Sequence, residues 1–224
     1  NVPGKRPELW NAEDASVHPV SYTMKDGRTE ITLDMEQYGA VFVVFGEATT
    51  EQSLLLPATT RKEVMTMDTD WDIAFGKVQD TPEKIHVARL ASLTESADEH
   101  IKYFSGTAVY TKTFDVAKYD KRATYRLDLG AVGNIAEVYL NGQLMGTLWK
   151  APYTVDVTPA LKKKTNHLEV RVTNLWANRV IGDKQPGIKK KYAWASYNGA
   201  FRATSVPKPA GLIGGVRLLM DSAK

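Results

Sequence analysis

Short runs of alternating apolar and polar residues, interrupted every few positions by glycine, proline or a polar turn, run through this chain and set its fold class. Tyr125, Leu127 and Leu129 alternate with Thr124, Arg126 and Asp128. Ala136, Val138 and Leu140 alternate with Glu137 and Tyr139, and Leu168, Val170 and Val172 with Glu169, Arg171 and Thr173. A period of two puts one face of each run in a core and the other in water, the pattern of half-buried antiparallel strands. Long amphipathic helices are absent. Asp26-Gly27 and Asn141-Gly142 suit the positive φ angles of tight hairpin turns, so they pair the runs beside them.

Further strands are expected at Trp71–Phe75, within Tyr103–Phe114, at Tyr153–Val157 and at Val216–Met220. Thr158-Pro159 reads as an N-cap followed by proline at the first helical position, and Asn174–Pro209 as a long irregular segment. Eight or so short antiparallel strands with one long insertion predict an all-β antiparallel sandwich, a jelly roll, over residues 67–224. Residues 1–50 hold only three strands, too few for a sandwich. They read as the C-terminal strands of a preceding β domain or as strands added to the next one's edge, with the first reading favoured and 51–66 as linker.

Composition narrows the function classes. With 43% hydrophobic and 25% charged residues the chain buries a core. It has no cysteine, which excludes disulfide frameworks, thiolate nucleophiles and cysteine-ligated zinc. The 29 basic and 26 acidic residues are dispersed apart from Lys162–Lys164 and Lys189–Lys191. Neither run is interleaved with aromatics, so a solvated face fits better than a nucleic-acid partner. No apolar run approaches the ~18 residues of a membrane span. The first residues, Asn1-Val2-Pro3-Gly4, include neither an initiator methionine nor a signal sequence, so a trimmed or mature fragment is expected. His18, His86, His100 and His167 lack metal-ligand spacing. Gly211–Gly215 lead toward a strand rather than a helix, which argues against an anion cradle and for a bulge or close backbone approach.

The ordered features YTKTFDV (from Tyr110), AEVYLNGQLMGTLWKAPYTVDVT (from Ala136) and NHLEVRVTN (from Asn166) together resemble the sugar-binding domain of glycoside hydrolase family 2 and its relatives. YFSGTAVYTKTF, NLWANRVIGD and GLIGGVRLL are similar to the C-terminal region of family 106 α-L-rhamnosidases, where such a sandwich follows a catalytic barrel. The resemblance implies a galactose-binding-like jelly roll belonging to a secreted or periplasmic polysaccharide-degrading enzyme, with the catalytic carboxylates elsewhere. Its partner would then be carbohydrate or the catalytic domain of the same enzyme. No cofactor is implied; a structural calcium is compatible with such sandwiches, although no dedicated loop stands out.

Sugar recognition uses flat aromatic faces and planar polar groups. Trp149, Tyr153, Asn174, Trp176, Asn178, Arg179 and Asp183 have that chemistry near strand ends. Each also has a structural reading: the tryptophans as packing, Asn174 as a strand terminator, Arg179 as the partner of Asp183 four residues on, Asp156 as a turn acceptor. Glycoside hydrolysis needs two carboxyl groups facing each other, and no such pair is recognisable. Three functions stay open: a carbohydrate-binding accessory module, a module that buttresses a catalytic barrel, and a fragment with its own glycosidase activity.

Overall fold

The structure, a computed structural model, describes residues 2, 4–13, 15–193 and 199–223. Residues 1–60 and 61–222 form two compact units. The first contains β1 (Lys5–Asn11), β2 (Val17–Pro19), β3 (Tyr22–Lys25), β4 (Arg28–Ile31), β5 (Val41–Ala48) and β6 (Ser53–Leu54), in two three-stranded sheets ordered β2-β1-β5 and β4-β3-β6. Asp26 and Gly27 both take positive φ, 51° and 70°, at the β3–β4 hairpin. Val20 and Tyr22 are its buried large side chains, so its core is small. Across one sheet Trp10 stands opposite both Val17 and Phe42, and all three are exposed.

The second unit contains β7 (Thr59–Thr66), β8 (Thr69–Ala74), β9 (Lys84–Arg89), a 3₁₀ turn at Leu93–Glu95, α1 (Glu99–Lys102), β10 (Thr107–Phe114), β11 (Thr124–Asp128), β12 (Ala131–Gly133), β13 (Ile135–Leu140), β14 (Gln143–Leu148), β15 (Thr154–Asp156), β16 (Asn166–Thr173), α2 (Ala177–Gly182), β17 (Gly211–Gly214) and β18 (Arg217–Ala223). Two sheets, ordered β14-β13-β16-β10-β8-β9 and β15-β11-β18-β7, share one core, and β12 and β17 form a two-stranded ribbon. This is the expected antiparallel sandwich. The inward row Ile73, Tyr110, Val170 and Val138 crosses four strands of the larger sheet in register. Tyr125, Leu127 and Leu218 supply the facing layer. Burying each large side chain contributes roughly 2 kcal/mol, and Trp71, which packs edge-on to Tyr110 and donates its indole N–H to Met67 O at 2.7 Å, is fully enclosed.

Polar side chains fix the turns. Asn141 and Gly142 have φ of 54° and 83°, as the β13–β14 hairpin requires. The Asn141 amide also donates to Ala160 O and accepts from His167 N. Asp156 accepts from Thr158 N at 2.8 Å, the turn role expected of it. The glycine-rich stretch is itself strand β17, with positive φ at Gly211, Gly214 and Gly215, and its pairing with β12 shifts register beside Ala131. A Cβ on Gly130 would sit 2.3 Å from Gly214 O, so two backbones meet where no side chain fits.

Four sequence expectations change. Residues 1–50, read as three strands, hold five, because the short polar β2 and the β1 strand opened by Lys5, Arg6 and Pro7 lack a clear alternation. Residues 51–66, read as linker, carry β6, which pairs with β3, and β7, which joins the second unit's smaller sheet. Their threonines, arginine, lysine and glutamate mute the alternation, and of β7 only Val64 and Met65 pack on the core. The helical turn expected after Thr158-Pro159 is a turn over residues 158–160, closed by Leu161 N donating to Val157 O at 3.0 Å and followed by irregular chain; the Thr158 hydroxyl does not cap it but accepts from Tyr125 N at 2.7 Å. The segment after Asn174 is not wholly irregular, since it contains α2.

Candidate functional site

The residues singled out for sugar binding all belong to one end of the larger sheet, but they divide into two groups. Asn174, Asn178, Arg179 and Asp183 are buried. Asn174 accepts from Gly106 N at 2.8 Å and donates to Phe104 O at 2.9 Å, terminating β16 by bonding backbone. Asn178 bonds both the N–H and the carbonyl of Lys208, at 2.7 Å each. The Arg179 Nε lies 2.9 Å from Asp183 Oδ1, an ion pair across one turn whose angle is off line for a hydrogen bond. Asp183 Oδ2 accepts from Tyr192 N and Ala193 N at 2.8 and 2.7 Å, so this carboxylate closes the loop that leaves α2. Lys190 adds a second tie, at 3.0 Å to Asp80, whose carboxyl is held below its ordinary range by Tyr192 and Lys190. Their polar atoms bind the protein itself and hold the loop.

Trp149 and Trp176 behave oppositely. They are 61% and 55% exposed, against the packing role that aromatic residues usually take in a sandwich. Register brings them near each other. Ala136 pairs with Leu148, and Ile135 with Thr173, so Trp149 stands one residue beyond the β13–β14 ladder and beside Ile135; the adjoining strand β16 ends at Thr173, and Leu175 and Trp176 follow it where the chain enters α2. Adjacent strands are ~4.8 Å apart. Ile135, Trp149, Leu175 and Trp176, all exposed, thus form an apolar edge at one end of three neighbouring strands. Tyr153 is half-buried and donates to Asn134 O at 2.8 Å, bracing the start of β13, and burial raises its phenol pKa.

The outer face of the same sheet carries a polar groove that includes Asp72, Thr111 and Glu169. Asp72 and Glu169 flank Thr111 in register, two strand spacings or roughly 10 Å apart. Lys84 at 2.8 Å and His86 at 3.1 Å bind Asp72, and Lys84 first, then His86, hold its carboxyl below the usual range. Arg171 Nε donates to Glu169 at 2.7 Å. Asp72, whose carboxyl is held below its usual range, is unsuited to be the general acid that glycoside hydrolysis needs. Sequence reasoning passed over this groove because its residues occupy the wet positions of strands, where polarity is expected without any function. Among the described residues no three His, Cys, Asp or Glu side chains gather in one place where they could hold a metal ion. No helix among them is long and apolar enough to cross a membrane.

The family model for the glycosyl hydrolase 2 galactose-binding domain-like fold matches residues 91–208, more than half of the chain. The chain belongs to that family. A putative β-glucuronidase of Formosa agariphila is 48% identical over 133 residues, covering 57% of this chain and 11% of that protein. A rhamnosidase structure from Novosphingobium sp. PP1Y superposes with a TM-score of 0.92 at 42% identity, covering 98% of this chain and 21% of that one. The chain therefore spans a small fraction of the proteins it matches. This galactose-binding-like domain is a glycoside hydrolase module by family, and the matched span includes Trp149 and Trp176 as well as the buried Asn174, Asn178, Arg179 and Asp183.

Proposed function

We propose that this chain is a non-catalytic accessory sandwich of a secreted or periplasmic polysaccharide-degrading glycoside hydrolase, of the α-L-rhamnosidase type found in family 106, and that its aromatic edge docks on the rest of that enzyme. One observation carries the reading. At the predicted site the polar side chains of Asn174, Asn178, Arg179 and Asp183 are buried and turned to partners within the protein, whereas Ile135, Trp149, Leu175 and Trp176 are exposed. An edge with two aliphatic residues among its aromatics, and with its nearby amides and guanidinium buried, suits a protein interface better than a sugar, which needs hydrogen-bonding partners beside the ring. The uncovered row Val17, Trp10 and Phe42 likewise fits residues 1–50 being the closing strands of a larger β layer.

The test separates docking from free-sugar binding. Calorimetric titration with rhamnose-, galactose- and glucuronate-containing oligosaccharides should give heats that Trp149→Ala and Trp176→Ala leave unchanged. The separately expressed remainder of the polypeptide should bind this chain and lose affinity for both variants. Sugar binding abolished by either variant would instead make the edge a lectin-like site. Incubation with p-nitrophenyl α-L-rhamnoside should release no nitrophenol above the blank.

A further inference from the structure

We infer that the outer face of the six-stranded sheet is a second ligand site, a groove that takes a neutral pyranoside. His86, Asp72, Thr111, Glu169 and Tyr139 are paired one to the next across β9, β8, β10, β16 and β13. Their inward neighbours Ile73, Tyr110, Val170 and Val138 are buried, so the five point together to the opposite face. They line a cavity of about 470 Å³, within the several-hundred Å³ range of small-ligand clefts.

The groove's groups are held in place before any ligand arrives. Arg171 lies over the Tyr139 ring at 4.4 Å from the centroid and bonds Glu169 Oε1, while Asp72 is clamped between Lys84 and His86. Among the described residues Glu169 Oε2 has no hydrogen-bond partner, and the Thr111 hydroxyl stands between the two carboxylates. A planar carboxylate can accept from one hydroxyl of a vicinal diol while the guanidinium beside it donates to the next. Fixing these side chains in advance lowers the entropy lost on binding. Charge selects the ligand: Asp70, Asp72 and Glu169 face Lys112, Arg171 and the neighbouring Lys84, so no surplus of positive charge awaits a uronate. The lining has no exposed large apolar side chain either, which favours a hydroxylated ligand over a docked domain.

The experiment is a titration of the ¹⁵N-labelled chain with the methyl glycosides of L-rhamnose, D-galactose and D-glucose, and with sodium glucuronate, followed by amide shifts. At least one neutral glycoside should give saturable shifts at Asp72, Thr111, Glu169 and Tyr139. Glu169→Gln and Arg171→Met should weaken it roughly tenfold, and Trp149→Ala should leave it unchanged, which keeps this site distinct from the docking edge. Thr111→Val, isosteric and suited to a strand, serves if either charged-site variant fails to fold. Absence of saturable shifts in the groove, tighter binding of glucuronate, or undiminished binding in the folded groove variants would overturn the inference.

Discussion

Arg179 and Asp183 show how far one residue's chemistry depends on where its side chain ends. Both are charged and sit in a loop region, which suggested contact with a ligand, yet each is about 96% enclosed and paired with the other. Removing one partner leaves a buried charge and releases the two backbone N–H groups on Asp183. Asp183→Ala should therefore lower unfolding free energy by ~3 to 5 kcal/mol, measured by urea denaturation. Asp221 is a milder case. It accepts two bonds from Arg61 and one from Arg126, and Arg61 first, then Arg126, depress its carboxyl pKa. The folded pKa lies below the unfolded value, so this contribution is present at neutral pH and fades as pH falls through the folded value, below about pH 4. Asp221→Asn should cost about 1 kcal/mol at neutral pH and flatten stability against pH in that acid window.

At the scale of elements, β17 begins at a glycine that is pressed against β10 and the 3₁₀ turn. A Cβ on Gly211 would stand 2.2 Å from the Tyr110 hydroxyl and 2.9 Å from Leu93 Cγ, at a φ of 87°. Gly211→Ala combines backbone strain with overpacking, and a loss of roughly 2 to 4 kcal/mol is expected in a thermal or denaturant melt. The longer strands of the sandwich were legible in the sequence. Alternation located β11, β13 and β16, and Asn141-Gly142 located the hairpin, because a two-residue period and a two-residue turn are both local properties. The irregular segment was not legible. Whether Trp176 points inward or outward depends on α2, a six-residue helix with no side-chain cap to announce it. The groove was hidden for the converse reason: its five residues lie on five strands, and only pairing brings them into one row.

For the whole molecule, the extended core draws all its members from Met67 to Leu218, within the second unit. A chain beginning at Arg61 should consequently unfold in one cooperative transition with its midpoint within a few degrees of the full chain's, as read by circular dichroism. The first unit, whose buried large side chains are Val20 and Tyr22, should not fold when expressed alone. The order of strands adds a constraint in time. Strand β18 lies between β11 and β7, so the smaller sheet has a gap until the last strand is present. During synthesis the strands on either side of that gap wait with unpaired backbone, exposed to wrong partners until the ribosome has released residues 217–223. Loss of residues 217–223 would accordingly do more harm than their number suggests, because it removes the middle of a sheet rather than its edge.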